Sequence, residues 1–100
     1  MPKATVDNAI HALQQAGASM RCADLQGVLE SIGFEIKDRK KPGHKVVYHA
    51  ALSRMSEFST TSYTCGHGKN PEVRPAYVKK MLGVIRHYES ELKELNGETA

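Results

Sequence analysis

The sequence predicts an α+β fold: a three-stranded antiparallel sheet with helices packed on one face, in the order α-α-β-β-β-α. Three observations carry this expectation. Two apolar stripes at helical spacing open the chain, Val6/Ala9/Ile10/Leu13 and Leu25/Val28/Leu29/Ile32. Three strand-like runs follow, with short links and no helical stripe between them, which favours an antiparallel meander over βαβ units. A proline-led apolar stripe then closes the chain.

Each element has a local cause. Thr5 offers a cap for the first helix, and Gly17 is its predicted stop. Ala18 to Arg21 reads as a link. Gly33 stands where the second helix needs a residue with positive φ. Phe34-Glu35-Ile36-Lys37 alternates as a strand, and the turn runs from Asp38 to Gly43. Lys45 to Ala50 is the second strand, residues 51–56 read as a loop, and Phe58 to Cys65 is the third strand. Gly66-His67-Gly68-Lys69-Asn70-Pro71 is a loop by its punctuation. Pro75 opens a long helix whose buried side is Val78, Met81, Leu82, Ile85, Tyr88 and Leu92.

One hundred residues predict one domain over 1–95, with an extra N-terminal helix at about 5–17 and a frayed tail at 96–100. No tryptophan and only two Phe and four Tyr argue against a deep apolar pocket, so no cofactor is expected. No run of about 20 apolar residues is present, so no membrane span is expected. Residues 1–5 lack the apolar run of a signal peptide. Cys22 and Cys65 are too few for a disulfide framework, which makes cytoplasmic the expected location. Cys65-Gly66-His67 lacks the further ligand pair of a structural zinc site, so no metal is expected.

The net charge is +3, but it is unevenly placed. Between Lys37 and Lys45 lie Lys37, Arg39, Lys40, Lys41 and Lys45 against Asp38 alone. From Lys69 to Arg86 the chain carries Lys69, Arg74, Lys79, Lys80 and Arg86 against Glu72, whereas the C-terminal end is acidic. A basic middle fits a polyanion partner.

Within that middle, Lys40-Lys41-Pro42-Gly43-His44-Lys45-Val46-Val47-Tyr48-His49 puts His44 where a basic turn becomes a strand. Imidazole exchanges a proton near neutral pH, as acid–base chemistry on a phosphodiester requires. The competing role is a solvated turn histidine. His67, His49 and Tyr48 are candidates for a second proton-transfer group, and a structural hydrogen bond is the favoured role of His49. Tyr48 and Tyr63 are placed either to stack on bases or to pack in the core.

From Ala23 to Leu82 the chain resembles the HicA toxin family. The matching pieces, in order, are the helix Ala23–Glu30, the junction Ile32-Gly33-Phe34, the basic turn ending in Gly43-His44, the strand ending in Tyr48-His49, the loop His67-Gly68-Lys69, and the Pro-led helix Val73-Arg74-Pro75-Ala76-Tyr77-Val78. The resemblance implies a fold like that of double-stranded-RNA-binding domains. It also implies a metal-independent endoribonuclease that cuts mRNA and is silenced by a HicB-like antitoxin. The catalytic histidine implied is His44. Read from the residues themselves, Lys40, Lys41, Gly43, Lys45, Tyr48, His67 and Lys69 are the expected RNA contacts. This chain has Pro42-Gly43-His44 where Gly-Ser-His is commonest in the family. A non-catalytic nucleic-acid-binding module on the same fold is the alternative expectation.

Overall fold

A computed structural model describes residues 5–16, 20–40, 43–66, 68–69 and 71–98. The first helix, α1 (Val6–Gln15), begins where its cap predicts: Thr5 Oγ1 accepts from the Asn8 N–H at 3.0 Å. Val6, Ala9 and Leu13 form its buried face. Gly17, the expected stop, lies outside the described residues.

The expected link at 18–21 contains a strand. β1 (Met20–Arg21) pairs antiparallel with β5 (Glu72–Val73), Met20 opposite Val73 and Arg21 opposite Glu72. Two residues are too short for any periodic pattern. α2 (Cys22–Ser31) follows at once, with Leu25 and Leu29 fully buried. It ends in a glycine turn: the Gly33 N–H donates to Glu30 O at 3.1 Å and the Phe34 N–H to Leu29 O at 3.1 Å. Gly33 has φ 97°, and a Cβ there would sit 2.7 Å from His49 Nε2. Conformation and packing thus demand glycine at the same point.

The main sheet is antiparallel in the order β2 (Glu35–Asp38), β3 (His44–Tyr48), β4 (Thr61–Thr64). Ile36 faces Val47, and Val47 faces Thr61. Val47 and Tyr63 are fully buried while Val46 and Ser62 are partly exposed, so the core lies on one face.

The expected loop at 51–56 is corrected to a helix, α3 (Ala50–Met55), lying between the second and third strands of the sheet. Its cap is His49, whose Nδ1 accepts from the Leu52 N–H at 3.2 Å. Histidine is not a usual cap signal, and a six-residue helix with only Leu52 buried has no stripe to read. This insertion departs from the α-α-β-β-β-α order.

Pro75 does open a helix, but the expected long helix is two: α4 (Pro75–His87) and α5 (Glu89–Leu95). Tyr88 leaves helical geometry at φ −108°, ψ 23°, and its ring packs edge-on to Phe58 at 5.5 Å. Of the tail expected at 96–100, residues 99–100 lie outside the described residues, and residues 96–98 make defined contacts. Gly97 (φ 72°) makes a second glycine turn, and Glu98 Oε2 accepts from the Val6 N–H at 2.9 Å. A carboxylate at the start of α1 also complements the helix dipole.

Cys22 and Cys65, read as too few for a disulfide framework, are disulfide-bonded across 43 residues with their Cα atoms 5.7 Å apart. Nonlocal strand contacts bring them together: the Cys22 N–H donates to Pro71 O at 2.9 Å, and Cys65 bridges Val73. With both thiols paired, cysteine usage no longer argues for a reducing compartment. Among the described residues, no helix is long and apolar enough to cross a membrane.

Candidate functional site

Strand alternation decides which candidates meet. Val47 points into the core, so His44, Val46 and Tyr48 share the opposite face of β3. Residues directly paired across strands also share a face, which adds Lys37 and Glu35 from β2 and Ser62 and Thr64 from β4. The Lys37 ammonium lies 5.2 Å from the Tyr48 ring centroid, a cation–π contact on this face.

His44 is half-buried at the first position of β3. Its carbonyl accepts from the Arg39 N–H at 3.0 Å, and the residue pairs with Thr64. Among the described residues its imidazole has no hydrogen bond or ion pair. Gly43 before it has φ 81°, and its carbonyl accepts from the Cys65 N–H at 2.7 Å. A Cβ on Gly43 would lie 2.6 Å from the Cys65 carbonyl oxygen. Glycine at 43 is therefore a packing requirement of the hairpin, and its part is to set the backbone that presents His44.

The side chains of Lys45 and Tyr48 both stand apart from the His44 imidazole. Lys45 does not stand beside His44: adjacent strand residues point to opposite faces, and Lys45 is ion-paired with Asp38, its register partner. Its charge is partly neutralised on the other side of the sheet. Tyr48 shares the His44 face but stands four residues along, about 13 Å at the usual strand rise. That separation is too great for a proton relay with His44, so Tyr48 can serve only as a more distant contact. Lys40 and Lys69 are exposed. Lys41 and His67 lie outside the described residues.

His49 is a structural residue. It is 7% exposed, its ring packs edge-on to Phe34 at 5.1 Å, and Nδ1 caps α3. Burial holds its imidazole below the ordinary value of 6.5, opposed more weakly by a hydrogen bond with Ile32 and the Glu35 charge. Because the folded value is depressed, the unfolded chain takes up the proton first as pH falls. Stability from this site is complete above about pH 6.5 and is lost as pH drops through 6.5 toward the folded value. Chemical denaturation at pH 7.5 and pH 5 is expected to show that loss. His49→Asn, which keeps a capping oxygen, should reduce the acid-side drop.

Tyr63 is likewise withdrawn from the surface. It is 0% exposed, and its hydroxyl has no hydrogen-bond partner among the described residues. Burial, with the charges of Glu30 and Asp38, pushes the phenol up to about 12. Cys65 has no free thiolate, and no cluster of three metal-ligating side chains occurs among the described residues.

Sequence reasoning missed a cleft of about 320 Å³ at the end of β4, lined by Thr64, Cys65, Gly66, Glu72, Arg74 and Tyr77. In sequence Arg74 belongs to a basic run, and both Arg74 and Tyr77 to the Pro-led helix segment, with no sign that they meet β4. Their approach to the end of β4 depends on how α4 docks, which no local spacing encodes. The site thus offers one uncommitted imidazole, a hydroxyl from Thr64 and a cleft with one guanidinium and one phenol. Compared with protein families, curated proteins and solved structures, the chain matches none.

Proposed function

We propose that this protein is a metal-independent endoribonuclease, the toxin of a pair like HicA and HicB, acting on mRNA in the cytoplasm. The observation that carries the proposal is His44, held by backbone pairing on the more open face of the sheet with no partner for its imidazole among the described residues. In the proposed reaction His44 takes the proton from an RNA 2′-hydroxyl. That oxygen bonds to the adjacent phosphorus, and the bond from phosphorus to the 5′-oxygen breaks. The products are a 2′,3′-cyclic phosphate and a 5′-hydroxyl, the latter protonated from solvent. Lys40 and Lys69 are exposed cations suited to phosphate. A HicB-like antitoxin would silence the enzyme by covering the turn around His44.

The test uses single-stranded RNA cut by the purified chain and the same RNA with one 2′-deoxynucleotide at the cleaved position. Cleavage is expected to stop at the substituted position while binding persists and weakens steeply with salt. Cutting of the deoxy substrate would overturn the mechanism. Binding with no cleavage of either RNA would favour a non-catalytic RNA-binding module.

A further inference from the structure

We propose that the cleft between the end of β4 and the first turn of α4 is a nucleotide subsite, holding the RNA residue next to the scissile phosphate. Arg74 would bind its phosphate and Tyr77 would stack on its base. The proposal rests on the ribonuclease reading of His44 and names residues that reading does not require.

Thr64 is the hinge of the argument, since it belongs to both places. It lines the cleft and is also the register partner of His44. The neighbouring pair, Gly43 and Cys65, exchanges a backbone hydrogen bond at 2.7 Å, so His44 and Thr64 form the non-hydrogen-bonded pair that follows. Such pairs have Cα atoms about 4.5 Å apart with side chains on one face. The register partner of His44 is thus also part of the cleft wall.

The cleft's contents suit a nucleotide. Its volume of about 320 Å³ is at the small end for ligand sites and holds no more than one base with its phosphate. Arg74 is exposed; its carbonyl accepts from the Tyr77 and Val78 N–H groups, and its guanidinium makes no hydrogen bond or ion pair among the described residues. A guanidinium without a partner is matched to the paired oxygens of a phosphate. Glu72 is the one acid on the lining, and it already has a contact of its own. Tyr77 is half-buried, packed against the core yet reaching the cleft wall. A tyrosine anchored in that way offers a ring with little freedom left to lose on stacking. On the adjoining turn of α4, Lys80 donates to Ser62 O at 2.9 Å and ties the helix to the strand, fixing the cleft's width.

The experiment measures binding of the uncleavable 2′-deoxy-substituted RNA and, separately, cleavage of the all-ribose RNA. Variants are Arg74→Gln, Arg74→Lys, Tyr77→Leu and Tyr77→Phe, with Arg54→Gln on α3, beyond the far end of β3, as the surface-charge control. Arg74→Gln should weaken binding about 10- to 100-fold and lower the salt slope by about one, with Arg74→Lys intermediate. Tyr77→Leu should weaken binding while Tyr77→Phe keeps it, because stacking needs the ring and not the hydroxyl. Arg54→Gln should change neither. Melting curves separate any loss of folding from loss of contact. If Arg74→Gln and Tyr77→Leu both bind like the wild type while the wild type still cuts RNA, the subsite is wrong and the His44 reading stands. A wild-type chain that neither binds nor cuts RNA overturns both.

Discussion

His44→Ala is expected to lower RNA cleavage by about 10²–10⁴-fold, the usual contribution of a positioned acid–base group. Its melting curve should shift little. The hydrogen bond that His44 accepts from Arg39 is a backbone one, and its pairing with Thr64 survives the substitution. A half-exposed side chain without a partner among the described residues costs less than about 0.5 kcal/mol to remove. Leu29→Ala is the contrast: Leu29 is fully buried in the core, and its truncation should cost about 2–5 kcal/mol and damage activity through the fold. Activity should survive a metal chelator, because the nucleophile belongs to the RNA. Full activity in purified His44→Ala protein would remove this residue from the chemistry. Inhibition of the wild type by chelation would point to a bound metal.

Breaking the Cys22–Cys65 bond should have the largest effect on stability. A cross-link closing a 43-residue loop restricts the unfolded chain, and the loop-entropy relation gives about 4 kcal/mol. Single domains have only about 5–15 kcal/mol in total. Cys22→Ser/Cys65→Ser, or the wild type in excess dithiothreitol, should therefore melt about 15–30 °C lower. The loss should reach the site as well, since the Cys65 N–H holds the Gly43 carbonyl next to His44. Cleavage by the reduced protein should fall at temperatures well below its melting point. Superimposable melting curves with and without reductant would show that the bond does not restrain the fold.

What could be read in advance follows from the range of the signals. The stripe of α1, the Thr5 cap, the glycine turn after α2, the alternation of β2 and the N-terminal proline of α4 are all written within a few residues. β1 and β5 are two residues each and exist only because they pair with each other. The disulfide depends on that same pairing. α3 was hidden because a buried histidine supplies its cap. Lys45 is a different case, since its signal was present: a strand beginning at His44 must turn Lys45 to the other face. Arg74 and Tyr77 meet the end of β4 through the docking of α4, which no spacing within α4 encodes.

The hydrogen bond from Val6 to Glu98 has a consequence for how the protein is made. It joins residues 92 apart, so one partner leaves the ribosome long before the other is synthesised. At about 5–20 residues per second, the first turn of α1 waits roughly 5–18 s for its carboxylate. Until then the β2–β4 sheet is already complete in sequence, while α4 and α5, which cover α1, are not. The emerging chain thus carries the hairpin that presents His44 before it carries the helices that make the fold cohere. Final closure waits for Glu98, whichever elements have formed before it.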